Sequence, residues 1–217
     1  TSLCLMLNRI KSKIEHVLTL DISWSRLHKG RDFFQSNISS RDVKLSPFVA
    51  DIKKIPLPSK SIDVVTSDHA LELNGEYLPN LLMEIFRVTK KKCILFEPSY
   101  ELNTHEGQLR MDKFGYIKNL EGEVSDLGGE LLEVTLLKSS KNPLNPTACY
   151  VIKPPITEVS ETHNEPQFSV PGSDLALSRD GSFLCSSDSG LIFPILRDIP
   201  ILKVGNGILG TALFEDS

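Results

Sequence analysis

The sequence predicts an α/β fold, with a doubly wound and mainly parallel sheet followed by a small β-rich domain. Over residues 1–153, short β-branched or apolar runs alternate with amphipathic helical segments, and this alternation implies right-handed βαβ crossovers. After residue 153 come a polar, proline-rich stretch and then short β-like pieces separated by turn dipeptides. We therefore expect domains at 1–153 and 167–217, joined by a linker over 154–166.

The first half of the chain carries two helical patterns and three strand-like runs. Apolar residues recur at helical spacing near the start of the chain, whereas the strand-like runs are short and rich in β-branched residues. The predicted elements are a helix over Ser2–Ile14, a strand over His16–Asp21, a helix over Ser25–Phe34, and strands over Pro47–Asp51 and Ile62–Ser67.

The pattern continues with an amphipathic helix over Tyr77–Val88, which Lys90–Lys92 would close with favourable positive charge. The run Cys93–Phe96 is nearly all apolar, as expected of a central strand covered on both faces. A helix-like stretch over Met111–Leu127 is stopped by a pair of glycines. The terminal strands are predicted over Leu131–Leu137 and Ala148–Lys153.

The composition of the chain argues against several classes of protein. The chain has 217 residues and a formal net charge of −4, which argues against a general nucleic-acid binder because such proteins carry a basic footprint. No apolar run reaches the roughly 18 residues that span a bilayer, and no signal-peptide pattern is present. The four cysteines are scattered and none forms a CxxC pair. We therefore expect a cytoplasmic protein without disulfides or a metal site.

Three of the predicted strands end on polar side chains, namely Asp21, Asp51 and the group Ser67–His69. In open α/β sheets, ligands bind beyond the carboxyl ends of the strands, and an acid in this position commonly accepts hydrogen bonds from ribose hydroxyls. An acid after a strand also serves as a helix N-cap, and Asp21 before Ser23 fits that interpretation equally. The pattern leaves both roles open.

These residues, together with their neighbours, resemble class I S-adenosylmethionine-dependent methyltransferases, which have a Rossmann-like fold. The resemblance is carried in order by Val17–Ser23, Ala50–Pro58, Ser61–Val65 and the turn Ser67–Glu72. A narrower resemblance, to a bacterial methyltransferase subgroup associated with surface glycans, is carried by further short motifs. These are Glu97–Pro98, Arg110–Met111, Gly115–Tyr116 and Asn142–Pro146.

The resemblance implies a role for each cofactor-side residue. Asp21 would accept from the ribose hydroxyls, and Ile22 would form an apolar wall beside the adenine. Asp51 would accept from the adenine amino group, with the Ile52 backbone amide beside it. Ser67–His69 would line the space between the methionine end of S-adenosylmethionine and the acceptor.

The predicted function is methyl transfer from S-adenosylmethionine to a small-molecule or glycan-type acceptor. His69 is the first candidate for a general base because its ordinary pKa lies near neutrality, with Asp68 and Glu72 as alternatives and helix capping as the structural interpretation. One feature departs from the family: the first glycine is Gly30, so the glycine-rich loop and the first strand are expected to be missing. The alternative is therefore a non-catalytic binding or scaffold protein that retains the fold.

The C-terminal segment resembles Trm112-like domains through Gly190–Ile195 and Asp198–Leu202. Such domains often carry two CxxC pairs that bind zinc. Here Val170–Ser173 and Cys185–Asp188 occupy those positions, and one thiol cannot form a structural zinc site. The apolar residues of this segment are predicted to dock onto the methyltransferase domain or onto a second copy, as in a homodimer.

Overall fold

A computed structural model describes residues 14–37, 43–138, 142–156 and 167–210. The chain divides into two compact units: Thr1–Leu57 together with Gln167–Ser217, and Pro58–Pro166. Except for Ile14, the helix predicted over Ser2–Ile14 lies outside the described residues.

The first unit contains a parallel strand pair linked through a helix. Strand β1 (His16–Asp21) is followed by helix α1 (Trp24–Asn37) and strand β2 (Lys44–Val49). The register pairs Asp21 with Val49, so both strands end at the same edge. Strands β1 and β2 and helix α1 agree with the predicted order, with bounds that differ by a few residues at most.

The C-terminal residues of this unit form a small antiparallel sheet with the strand order β10-β9-β8-β7, in which β11 also pairs with β9. Its strands are β7 (Ser178–Asp180), β8 (Phe183–Ser186), β9 (Leu191–Leu196), β10 (Ile199–Pro200) and β11 (Ile208–Leu209).

This sheet packs directly against the first strands. The fully buried Ile199 forms one hydrophobic cluster with Leu27 of α1 and Val49 of β2. The Leu202 N–H donates to the Val49 carbonyl at 2.7 Å, and Val49 also bridges to Ile201. Ile199 and Leu202 of the apolar C-terminal segment are thus buried within the first unit, next to β2.

The second unit contains a four-stranded sheet with the order β3-β4-β6-β5. Its strands are β3 (Ile62–Asp68), β4 (Thr89–Pro98), β5 (Glu130–Leu136) and β6 (Thr147–Lys153). Strands β3 and β4 are parallel, whereas β6 is antiparallel to both β4 and β5. Strand β6 therefore lies between β4 and β5 and runs in the opposite direction to both.

Helix α2 (Leu78–Val88) connects β3 to β4 and buries six apolar side chains. The prediction that Lys90–Lys92 close this helix is wrong, since these residues lie in β4. The helix ends at Val88 because Thr89 adopts extended angles, with φ −86° and ψ 129°. The Thr89 hydroxyl donates to the Ile85 carbonyl at 2.6 Å, which satisfies one of the free carbonyls at the helix end.

The helix-like stretch predicted over Met111–Leu127 is in fact two helices, α3 (His105–Phe114) and α4 (Leu120–Asp126). Gly115 ends α3 in the left-handed conformation, with φ +66°, which glycine adopts without steric cost. In the part of the chain that the structure describes, no helix is long and apolar enough to cross a membrane.

Candidate functional site

The predicted cofactor-side residues all lie in the first unit except Ser67. Asp21 is the last residue of β1, and Asp51 follows the end of β2 by two residues. The Ala50 N–H donates to the Asp21 carbonyl at 3.3 Å. The parallel pairing therefore brings both acids to the carboxyl end of the same strand pair, where ligands bind in open α/β sheets.

Asp21 uses one carboxylate oxygen to organise the chain before α1. Its Oδ1 accepts from the Ser23 N–H at 2.8 Å. Its Oδ2 lies 3.7 Å from Nη1 of Arg26, whose side chain is 77% exposed, so this ion pair contributes little. A carboxylate offers about four acceptor positions. Asp21 can therefore form its local turn and still accept from the hydroxyl groups of a ligand.

Asp51 has the same arrangement. Its Oδ1 accepts from the Lys53 N–H at 2.9 Å. Beside these acids, Ile22 exposes 57% of its surface. Two partly free carboxylates and an exposed apolar side chain fit the ribose, the amino group and the ring of an adenosine moiety. The residues present therefore fit S-adenosylmethionine.

In the second unit, Glu97 organises the turn that follows β3. This glutamate is in β4 and is fully buried. Its Oε1 accepts from the Ser67 hydroxyl at 2.8 Å, from the Ala70 N–H at 3.1 Å and from the Leu71 N–H at 3.2 Å. Burial raises the pKa of Glu97 to about 7, and the hydrogen bonds from Ser67, Leu71 and Ala70 oppose that rise.

His69 lies inside this turn in a strained backbone conformation. Its φ is +54°, and residues other than glycine adopt this region only at a cost of about 1–3 kcal/mol. Its N–H donates to the Phe96 carbonyl at 2.9 Å. Strained residues of this kind persist where the surrounding structure fixes them, and they cluster at functional sites.

The imidazole of His69 has a polar partner at each nitrogen. Nδ1 lies 2.7 Å from Oε2 of Glu72, and Nε2 lies 2.9 Å from the Thr147 hydroxyl. Since a carboxylate only accepts, the partners assign the proton of a neutral ring to Nδ1, and the Thr147 hydroxyl then donates to Nε2. A histidine oriented by a carboxylate, with its second nitrogen able to accept a proton, is the usual arrangement of a general base.

The structure thus joins some predicted catalytic residues and not others. His69 and Glu72 are in direct contact, while Ser67 is buried and its hydroxyl is donated to Glu97. Asp68 is exposed at the end of β3. The described residues contain no group of three or more His, Cys, Asp or Glu side chains able to hold a metal ion.

Two residues of this cluster were not among the predicted site residues. Two sequence features could have pointed to Glu97 as a site residue: it follows the apolar run of a predicted central strand, and it belongs to the Glu97–Pro98 motif. No sequence feature pointed to Thr147, because it lies 78 residues from His69 along the chain. It reaches the site because β6 runs antiparallel to β4 and pairs Thr147 with Pro98.

Comparisons with known proteins show what part of the chain is similar to. The family model described as "Methyltransferase domain" matches residues 3–96, which include β1 to β3 and most of β4. No curated protein matches the sequence.

Solved structures match the fold at low sequence identity. A SAM-dependent methyltransferase from Methanosarcina mazei is 13% identical, with a TM-score of 0.54 over 65% of this chain and 83% of that chain. Magnesium protoporphyrin IX methyltransferase from Synechocystis PCC 6803, solved with bound SAH, is 13% identical, with a TM-score of 0.54 over 70% of this chain and 68% of that chain. The [4+2]-cyclase SpnF is 15% identical, with a TM-score of 0.53 over 70% of each chain.

These structural matches show a Rossmann-like α/β fold. The match to the methyltransferase family model confirms the predictions of a methyltransferase and of S-adenosylmethionine as its cofactor. Because a [4+2]-cyclase is among the structures of this fold, the fold does not determine the acceptor.

Proposed function

We propose that this chain transfers the methyl group of S-adenosylmethionine to a small-molecule or glycan-type acceptor by in-line displacement. The observation that carries the proposal is the pair of acids, Asp21 and Asp51, at the shared carboxyl end of the parallel strands β1 and β2. This pair lies within the segment that matches the methyltransferase family model. Each acid keeps acceptor capacity beyond its own local hydrogen bond.

In this proposal the first unit holds the adenosine part of the cofactor. Asp21 accepts from the ribose hydroxyls, and the exposed Ile22 packs beside the adenine ring. Asp51 accepts from the adenine amino group, and the Ile52 N–H donates to the ring. The proposal is supported by the acceptor positions that Asp21 and Asp51 keep and by the exposure of Ile22.

The second unit supplies the candidate catalytic residues. When bound, S-adenosylmethionine supplies an activated methyl group on a sulfonium, so the protein's own contributions are alignment and proton removal. The acceptor substrate displaces the Thr147 hydroxyl from Nε2 of His69, which then takes the proton of the substrate's oxygen or nitrogen, while Glu72 fixes the ring through Nδ1. Asp68, exposed at the end of β3, is the alternative base.

A non-catalytic binding or scaffold protein is the second candidate. It is favoured by the observation that Asp21 and Asp51 each already accept from a backbone N–H two residues along the chain. Such bonds are sufficient for a purely structural role. Binding of cofactor distinguishes the two, because a scaffold has no need of an adenosine site.

The finer assignments rest on the sequence resemblance and on residues 167–210. We propose a bacterial, cytoplasmic enzyme in which residues 167–217 are a Trm112-like domain without metal. The scattered cysteines support the compartment, since Cys93, Cys149 and Cys185 are all free. A homodimer is supported by the exposed apolar side chains of β11, where Ile208 is 59% and Leu209 73% exposed.

The proposed activity is tested by incubating the protein with tritiated-methyl S-adenosylmethionine and a panel of hydroxylated small molecules, amines and oligosaccharides. The proposal expects protein-dependent transfer of label to at least one class of acceptor. It also expects His69→Gln to lower the rate by about 100-fold or more, the usual contribution of a general base. A protein that binds the cofactor but gives equal label transfer with His69→Gln would contradict the role of His69.

A further inference from the structure

Glu97 accepts hydrogen bonds from residues that precede His69 in the chain and from residues that follow it. Before the histidine, Ser67 donates its hydroxyl to Oε1 at 2.8 Å. After it, the Ala70 N–H donates to the same oxygen at 3.1 Å, and the Leu71 N–H lies 3.2 Å from each of the two carboxylate oxygens. A single side chain therefore fixes the backbone on both sides of the strained residue.

The position of Glu97 makes this arrangement rigid. It lies in β4, whose register with the parallel β3 pairs Ser67 with Leu95 and Asp68 with Phe96. The His69 N–H donates to the Phe96 carbonyl, one residue before Glu97. Backbone pairing and the Glu97 carboxylate thus act on the same short turn, and the turn cannot relax at His69 without breaking bonds to a fully buried group.

We infer that Glu97 is a positioning residue, which holds His69 in its left-handed backbone conformation so that the imidazole meets Glu72 and Thr147. The functional value of this inference rests on the proposed role of His69 as a base. The positioning itself depends only on the described contacts. Glu97 does not touch the imidazole through a hydrogen bond, and it acts through the backbone of residues 67–71.

A simpler interpretation is that Glu97 is a buried acid that merely has its hydrogen bonds satisfied and stabilises the core. That interpretation predicts lower stability when Glu97 is replaced, without any effect specific to His69. The two interpretations can be distinguished by disturbing the hydrogen bonds from the three donors to Oε1 without changing the volume of the side chain. Glutamine keeps the shape of the side chain but places an amide NH₂ at one of the two positions that now accept, so the turn loses part of its support while the volume is preserved.

The test is nitrogen-15 NMR of the histidine rings in the full chain, which contains five histidines. The His69 ring signals are identified by their loss in His69→Gln. In the wild type we expect a protected Nδ1 proton, shielded from exchange by the short bond to Glu72. In Glu97→Gln we expect loss of that protected proton, with the signals of the other four rings unchanged. The exposed Glu133 provides the matched control, since Glu133→Gln leaves the His69 signals as they are.

Unchanged His69 signals in a folded Glu97→Gln protein would overturn the inference and leave Glu97 as a core residue. If Glu97→Gln does not fold, Ser67→Ala decides, because it removes one donor and leaves the carboxylate in place. Ser67→Ala is expected to shift the His69 signals in the same direction as Glu97→Gln. Unchanged His69 signals in Ser67→Ala would overturn the inference. A separate titration with S-adenosylhomocysteine tests the proposed function, so a protein that fails to bind it can still show the effect of Glu97 on His69.

Discussion

At the scale of single residues, the buried Glu97 carboxylate is the group whose charge depends most directly on the fold. Burial raises its pKa to about 7 from an ordinary 4.5, while the hydrogen bonds from Ser67, Leu71 and Ala70, and the charge of His69, lower it in part. Burial raises the pKa of Tyr150 to about 12, and the negative charge of Glu97 contributes to that rise. A folded-state pKa above the unfolded one means that the native protein binds this proton more tightly.

The stability of the protein is therefore predicted to fall as the pH rises from about 4.5 to 7. The contribution of Glu97 is fully present below the lower value and is lost as the pH passes the higher one, a change of about 3 kcal/mol. Urea denaturation at a series of pH values measures it. Glu97→Gln should lack this slope, and Glu133→Gln, at an exposed position, should retain it. Parallel curves for the wild type and Glu97→Gln would show that Glu97 does not titrate in this range.

Residue types alone could not separate the two roles of Asp21 and Asp51. A short acidic side chain after a strand accepts from the backbone two residues on, and this local bond forms whether or not a ligand binds. The structure shows both local bonds. It also shows which carboxylate positions of Asp21 and Asp51 can still accept hydrogen bonds. That property depends on the neighbouring side chains in the fold, so the sequence alone does not predict it.

At the scale of elements, the predicted strands and helices lie close to the observed ones wherever the local pattern alone determines them. Strand β1 has the predicted bounds, His16–Asp21, and α2 begins one residue after its predicted start. Other errors arise where a long-range contact determines the element. Lys90–Lys92 lie in a strand because β4 pairs with both β3 and β6. Thr147 joins the site through that same sheet.

Gly115 gives a test of the boundary between α3 and α4 that the sequence pattern missed. An added Cβ would meet nothing within 4 Å, and the residue's φ is +66°. Gly115→Ala should therefore destabilise the protein by about 1–2 kcal/mol through backbone strain alone. Gly30→Ala is the matched control, because a Cβ there also meets nothing within 4 Å but the glycine lies within α1 without a positive φ.

In the control, alanine should stabilise α1 by about 0.5–1 kcal/mol, because glycine is a poor helix residue. Both changes are measured as free energies of unfolding in urea. Equal effects of the two substitutions would show that Gly115 does not end α3 through its left-handed conformation.

At the scale of the whole molecule, the first unit depends on contacts between the two ends of the sequence. Ile199 of β10 is fully buried against Leu27 and Val49. The Trp24 indole N–H donates to the Leu196 carbonyl at 3.2 Å, and Arg31 donates to the Arg197 carbonyl at 2.7 Å. These contacts explain why the sequence pattern predicted that the apolar tail must dock, although it could not identify the surface on which it docks.

Ile199→Ala is predicted to lower the free energy of unfolding by about 2–5 kcal/mol, the range for an isoleucine truncated in a packed core. Ile156→Ala, at a position that is 91% exposed, is the control and should change stability by less than about 0.5 kcal/mol. Urea denaturation of the full chain measures both. A small effect at Ile199 would mean that the C-terminal strands contribute little to the first unit.

The central claim, that the strand ends of the first unit form an adenosine site, is tested most directly by calorimetric titration with S-adenosylhomocysteine. We predict saturable binding by the wild type and a loss of about 1–3 kcal/mol in Asp21→Ala, equivalent to roughly a 5- to 150-fold weaker Kd. Asp32→Ala, at an exposed position of α1, should bind as the wild type does. Absence of binding by the folded wild type, or equal affinity in Asp21→Ala, would contradict the claim.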